Sequence, residues 1–274
     1  MSVSGTEAKA QQGDFVQVNI DSAIATVTLN RPELHNAFNE VFIEALDKAF
    51  SQLGQNPDIR AIILRSEGKS FCAGADLNWM QRMIDYDFTQ NVEDARGLAR
   101  MLKTIRTCPK PIIGRVQGAA LGGGVGLVSV CDLAITLDSA IFGLTEVKLG
   151  IMPAVISPFV IEKIGNAHAS RYFLTAERFN AEEAKRINLV THIVQTEAEM
   201  DDWIHQQINF ILKNGPEAVS SCKTMIYEVA EAIGEEAEEI TTRLIAERRV
   251  SVEGQEGIKA FLEKRKPSWT ATYP

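Results

Sequence analysis

Three short stretches hold the residues whose types could do chemistry: CAGAD at 72–76, LGGGVG at 121–126 and FGLTEVKLGIMP at 142–153. The first two place small residues where a strand gives way to a helix. Backbone N–H groups at a helix start have no intrahelical partner, and small side chains let a ligand reach them. Two such donors converging on one oxygen would form an oxyanion hole, worth roughly 3–4 kcal/mol per donor to a developing negative charge. Either loop alone would serve close helix–strand packing equally well. In the third stretch Glu146 stands among apolar residues ahead of a Gly/Pro break. Partial desolvation there would raise its pKa toward the range useful for moving protons, whereas a solvated loop glutamate would keep its ordinary value.

Other chemistries fail on spacing. The glycines at 118, 122, 123, 124 and 126 do not make G-x-G-x-x-G, because the last position falls on Leu127. Neither G-x-x-x-x-G-K-[ST] nor G-x-S-x-G occurs, which removes the phosphate-loop and serine-hydrolase readings. His35, His168, His192 and His205 are far apart without metal-ligand spacing, so no metal is expected. A net charge of −8 argues against a nucleic-acid partner, which would want a basic surface, and leaves an anionic ligand only a local basic cluster. Cys72, Cys108, Cys131 and Cys222 form no C-x-x-C pair and suit reduced thiols. Residues 1–13 read as a polar, disordered lead without an apolar signal core, and no run approaches a membrane span. The expectation is a cytoplasmic protein with no membrane association.

The elements that must position these loops follow from periodicity. FVQVNI and IATVTL are β-branched runs separated by DSA, a hairpin pattern. Val41, Phe42, Ala45, Leu46, Ala49, Phe50 and Leu53 recur at helical spacing, with Asn39 as N-cap. AIILRS, PIIGRVQG, LAITL and AIFG read as further strands, and EGKSFCAGADL as a loop. Beyond about residue 198 the pattern is helical and acidic. Alternating strands and helices followed by a helical tail predict an α/β core over 14–197 and a C-terminal helical region over 198–274.

Taken together, NRPELHNA, FCAGADL, GAALGGGVGLVSVCDLA, FGLTEVKLGIMP and the terminal AFLEKRK resemble, in order and spacing over about residues 14–268, the enoyl-CoA hydratase/isomerase (crotonase) superfamily. The resemblance implies a spiral of β-β-α units, a C-terminal helical part used for trimerisation, and a trimer or dimer of trimers. It implies an acyl-CoA thioester substrate, with coenzyme A part of the substrate and no separate cofactor. By motif, the two N–H donors to the thioester enolate would be Ala73 and Gly123. Ala73, Gly74, Ala75, Asp76 and Leu77 would line the CoA path, and Phe261 and Lys264 would reach a neighbouring subunit's CoA. EKRK at 263–266 would supply the local basic cluster, although it also reads as a solvated helix end.

The best-known hydratases of this superfamily carry two catalytic glutamates. Glu146 matches the second; the first falls where this chain has Gly126. A single carboxylate suits 3-enoyl to 2-enoyl isomerisation, and it suits hydration if water, an anion or the substrate's own carboxylate completes the network. GADLNWMQ, GGGVGLVSVCD and LGIMPAVISPFV resemble the methylglutaconyl-CoA and isohexenylglutaconyl-CoA hydratases of leucine and acyclic-terpene degradation. Gly126, Trp79, Met80, Pro153, Ala154 and Val155 would then line the acyl pocket, where Ala154, Val155 and Ile156 bring bulky side chains to one wall. Arg82, Arg96, Arg100 and Lys103 are candidate partners for a substrate carboxylate, each also readable as a surface charge. The leading expectation is hydration of a branched, carboxylated 2-enoyl-CoA. Isomerisation with Glu146 as sole base is the alternative, and an inactive CoA-binding relative a third.

Overall fold

The two β-branched runs fold back on each other as β1 (Val16–Asp21) and β2 (Ile24–Leu29), antiparallel across a two-residue turn whose Ser22 takes φ 54°. This is a computed structural model, and it describes residues 15–274; the lead predicted over 1–13 lies outside the described residues. After a turn through residues 30–38 comes α1 (Glu40–Gln55), whose N-cap Asn39 accepts the Phe42 N–H at 2.9 Å. Its buried stripe of Phe42, Ile43, Leu46, Ala49, Phe50 and Leu53 faces the core.

Three β-β-α units follow. The first comprises β3 (Ala61–Ser66), β4 (Ser70–Cys72), α2 (Leu77–Met83) and α3 (Phe88–Thr107). The second comprises β5 (Ile112–Val116), β6 (Ala119–Leu121) and α4 (Gly123–Ser129). The third comprises β7 (Leu133–Leu137), β8 (Ile141–Gly143), a 3₁₀ turn over Glu146–Leu149 and α5 (Ser157–Thr175). Then β9 (Arg178–Asn180), α6 (Ala181–Arg186) and β10 (His192–Val194) close the spiral.

The first strand of each unit joins a six-stranded sheet ordered β1-β2-β3-β5-β7-β10, and the second joins a four-stranded sheet ordered β4-β6-β8-β9. From β2 to β10 the larger sheet is parallel and covered by helices, which is why its strands read as apolar runs. This is the α/β spiral expected. β4 falls in the stretch read as loop, and β6 and β10 have no strand reading from sequence; at three residues each they are too short to show a period.

Four helices complete the chain: α7 (Glu197–Leu212), α8 (Pro216–Glu231), α9 (Glu235–Val250) and α10 (Val252–Leu262). α7 is not an appendage. Its Met200, Ile204, Ile208 and Leu212 form a second hydrophobic cluster with Ile24, Ala61, Ile113 and Ile135 on the larger sheet. α9 buries no residue in this chain, and no helix among the described residues is long and apolar enough to cross a membrane.

A polar cluster ties α8 to the core. Lys223 donates to Asp132 Oδ2 at 2.7 Å and to the Lys110 carbonyl at 3.1 Å, while Asp132 also receives the Tyr227 hydroxyl and the Ile112 N–H. The Lys223 ammonium is buried, so removing either charge strands the other in a poorly hydrated place. Lys223→Met should cost roughly 3 kcal/mol of stability, read as a lowered Tm in thermal unfolding. A Tm within a degree or two of the parent would mean that the pair contributes little.

Candidate active site

Glu146 begins the 3₁₀ turn that follows β8. Its carboxylate is half-buried, and Oε2 has no hydrogen-bond partner among the described residues. Desolvation pushes its pKa above the ordinary glutamate value, partly offset by its own backbone N–H. Oε1 faces the glycine loop. A methyl group built on Gly122 would sit 3.0 Å from Glu146 Oε1 and 4.0 Å from Gly74 Cα. Gly122 also has φ +52°, a left-handed conformation that side chains disfavour. Gly74 in turn backs onto the same loop: a Cβ there would lie 3.1 Å from the Leu121 carbonyl and 3.9 Å from the Gly123 nitrogen. The three stretches thus converge.

Gly123 opens α4, and its N–H has no acceptor among the described residues, whereas the neighbouring Gly122 N–H is bonded to the Gly143 carbonyl at 2.8 Å. On the CAGAD side the expected donor is corrected. The Ala73 N–H is already bonded to the His35 carbonyl at 3.0 Å. Two residues on, the Gly74 carbonyl and the Asp76 N–H both bond to Phe38, at 2.7 and 2.8 Å, in a parallel bridge that pairs Phe38 with Ala75. Extended backbone alternates its direction, so the Ala75 N–H points away from Phe38. It has no acceptor among the described residues, and Ala75 is exposed. Ala75 and Gly123 supply the free N–H pair.

Other predicted site residues divide. Asp76 is buried, caps α2 by accepting from the Asn78 and Trp79 N–H groups, and lies 2.7 Å from Arg31. It faces the protein, not a ligand. Leu77 is exposed, Gly74 is buried, and Met80 is half-buried. Trp79 is a core residue whose Nε1–H donates to Asp94 at 3.0 Å, so it is not an open pocket wall. Arg82, Arg96 and Arg100 pair with Glu40, Glu93 and Asp47, respectively. Phe261 is exposed on α10 and Lys264 just beyond it, while Arg265 of the EKRK cluster is held by Glu256 and Glu263.

Gly126 is buried, and the reason answers what stands in place of a carboxylate. A Cβ there would lie 2.5 Å from Ile156 Cγ2 and 3.9 Å from Leu102 Cδ2. Ile156 is the residue of PAVIS that fills this space, whereas Ala154 is exposed, Val155 half-buried and Pro153 buried. Sequence reasoning placed the bulk of PAVIS near the pocket without seeing that Ile156 excludes a side chain at 126.

The family model for enoyl-CoA hydratase/isomerase matches residues 19–272. The chain belongs to this family. An enoyl-CoA hydratase structure from Shewanella pealeana aligns with a TM-score of 0.90 at 39% identity, over 93% of this chain and 96% of that one. Pseudomonas aeruginosa AtuE aligns with a TM-score of 0.90 at 31% identity, over 94% and 100%. Among curated relatives, the peroxisomal Δ(3,5)-Δ(2,4)-dienoyl-CoA isomerase of Arabidopsis thaliana is 31% identical over 93% of this chain and 95% of its own. Relatives named for hydration and for isomerisation thus share one family, and the chain is an enzyme of enoyl-CoA hydratase/isomerase type.

Three outcomes follow from this geometry. Gly126→Glu alone should lower Tm, since its Cβ meets Ile156, and pairing it with Ile156→Ala should recover most of the loss; an undiminished Tm in the single variant would show that position 126 has room. A carboxylate acting as base loses activity as pH falls through its pKa, and burial raises that pKa. The acidic limb of kcat/KM should therefore lie above the ordinary glutamate range and be absent from Glu146→Gln. By linkage, the raised folded-state pKa makes the charged form destabilising, so stability falls as pH rises through this window. Glu146→Gln should accordingly be at least as stable as the parent at neutral pH, checked by Tm against pH.

Proposed function

We propose that the chain hydrates a branched, carboxylated 2-enoyl-CoA of the 3-methylglutaconyl-CoA kind, with Glu146 as the single carboxylate of the centre. The observation that carries the reading is the half-buried Glu146 carboxylate, one oxygen unpartnered, beside the free Ala75 and Gly123 N–H groups. The thioester oxygen would accept both N–H bonds. Glu146 would take a proton from water as hydroxide adds to C3, and the negative charge would move to the thioester oxygen. The resulting carboxylic acid would then return its proton to C2, so one water is added and Glu146 ends as it began. One group with a raised pKa can hold and release that proton near neutral pH.

The carboxylated acyl group rests on the GADLNWMQ, GGGVGLVSVCD and PAVISPFV motifs. Of Arg82, Arg96, Arg100 and Lys103, Lys103 is the one outside any ion pair among the described residues, which makes it the candidate partner for a substrate carboxylate. A place in leucine or acyclic-terpene degradation, in the cytoplasm, belongs to the same reading. So does a homotrimer or dimer of trimers, with exposed Val252, Phe261 and Leu262 supplying apolar surface for it.

Ile156 over Gly126 favours a second reading. With no second carboxylate, Glu146 could remove a proton from C2 of a 3-enoyl-CoA and return it at C4. Incubation with 3-methylglutaconyl-CoA, crotonyl-CoA and a 3-enoyl-CoA separates the two by product mass. A gain of one water, with the carboxylated substrate preferred, is expected. An unchanged mass with a shifted double bond would replace hydration by isomerisation. Glu146→Gln should lose roughly 10²–10⁴-fold in kcat while still binding acyl-CoA.

A further inference from the structure

NRPELHNA and the Phe38 that follows it make a set of polar ties to the segment from Glu67 to Asp76. The Asn36 side chain is fully buried and has φ 54°. Its Oδ1 accepts the Arg31 N–H at 2.7 Å, and its Nδ2 donates to the Glu67 and Ser70 carbonyls, both at 2.9 Å. The His35 ring lies 3.0 Å from the Ser70 hydroxyl, and the His35 carbonyl holds the Ala73 N–H. Phe38 holds Gly74 and Asp76 through its own backbone. The Arg31 guanidinium stands 2.7 Å from the Asp76 carboxylate, both nearly inaccessible, and donates to the Ala37 carbonyl at 3.2 Å.

The same turn also supports the second donor. A Cβ on Gly123 would lie 2.6 Å from Phe38 Cε2, so the edge of the Phe38 ring seats directly under Gly123. Phe38 thus touches both donor segments: its backbone fixes the direction of the Ala75 N–H, and its ring fixes the height of Gly123. A hydrogen-bond donor aimed at developing charge loses its effect when displaced by a fraction of an ångström, so such a support has catalytic consequence without touching substrate.

We propose that the turn from Arg31 to Phe38 is the positioning element of the oxyanion hole, with the Arg31–Asp76 ion pair and the Phe38 ring setting the spacing between the Ala75 and Gly123 N–H groups. This rests on the reading of those groups as the oxyanion donors. These are positioning residues: they act through the backbone of their neighbours and move no proton.

The test uses the full chain with acetoacetyl-CoA, whose enolate absorbs in the near ultraviolet and is stabilised by paired N–H donors. Asp76→Asn keeps the α2 cap but loses the charge, Phe38→Leu keeps an apolar side chain but loses the ring edge, and Arg31→Lys keeps the charge alone. Asp76→Asn and Phe38→Leu should each lower bound enolate and kcat by roughly 10- to 100-fold, with KM changed by less than about threefold. Arg31→Lys should lose less than Arg31→Met. Glu146→Gln, in which the turn is intact, should keep the enolate signal while losing turnover.

Folded variants with parental kcat and enolate absorbance would overturn the positioning role and leave the oxyanion reading standing. A parent chain that binds acetoacetyl-CoA without raising its enolate absorbance would overturn the oxyanion reading, and the positioning role with it. Should Asp76→Asn fail to fold, Phe38→Leu and Arg31→Lys decide the matter.

Discussion

A backbone N–H kept free at the surface of a packed protein needs its neighbours tied down, and here that constraint rests on the short parallel bridge between Phe38 and Ala75. Because the Gly74 carbonyl and the Asp76 N–H are both spent on Phe38, the amide between them must face the other way. The remaining features of the centre build on that choice of side. The CAGAD strand can approach the glycine loop only because Gly74 has no Cβ to meet the Leu121 carbonyl. The glycine loop turns toward Glu146 through Gly122, whose φ of +52° a side chain would disfavour.

The spiral of β-β-α units explains how three distant stretches reach one place. β4, β6 and β8 are successive neighbours in the smaller sheet, so the loops after them emerge side by side. One loop brings Ala75, one brings Gly123, and one brings Glu146. The larger sheet serves as the rigid support, sandwiched between the main core and the cluster that α7 makes on its other side. Preorganised donors act by not having to move, so a stiff frame beneath flexible-looking glycines is what this chemistry needs.

The electrostatics of the centre are sparse. Among the described residues no cation holds down the proton affinity of Glu146, and burial raises it. On the other side, Ile156 and Leu102 close the space above Gly126. An apolar filling there leaves no room for a side chain at 126 beside the present packing.

The sequence by itself determined five of the six strands of the larger sheet, the N-cap at Asn39, two small-residue loops and a glutamate among apolar residues, and the absence of a carboxylate at 126. Each of these is local: periodicity, capping and residue identity need no knowledge of distant neighbours. Tertiary structure decided the rest. Which amide of CAGAD is free depends on pairing with residues some forty positions earlier in the chain, so Ala73 reads from sequence as a donor and is in fact bonded to His35. Asp76 reads as a ligand contact and is instead a cap and an ion-pair partner, because only the fold brings Arg31 beside it. Whether position 126 was merely empty or filled by Ile156 depends on how α5 enters the core, since packing joins residues by their place in space and not by their order in the chain.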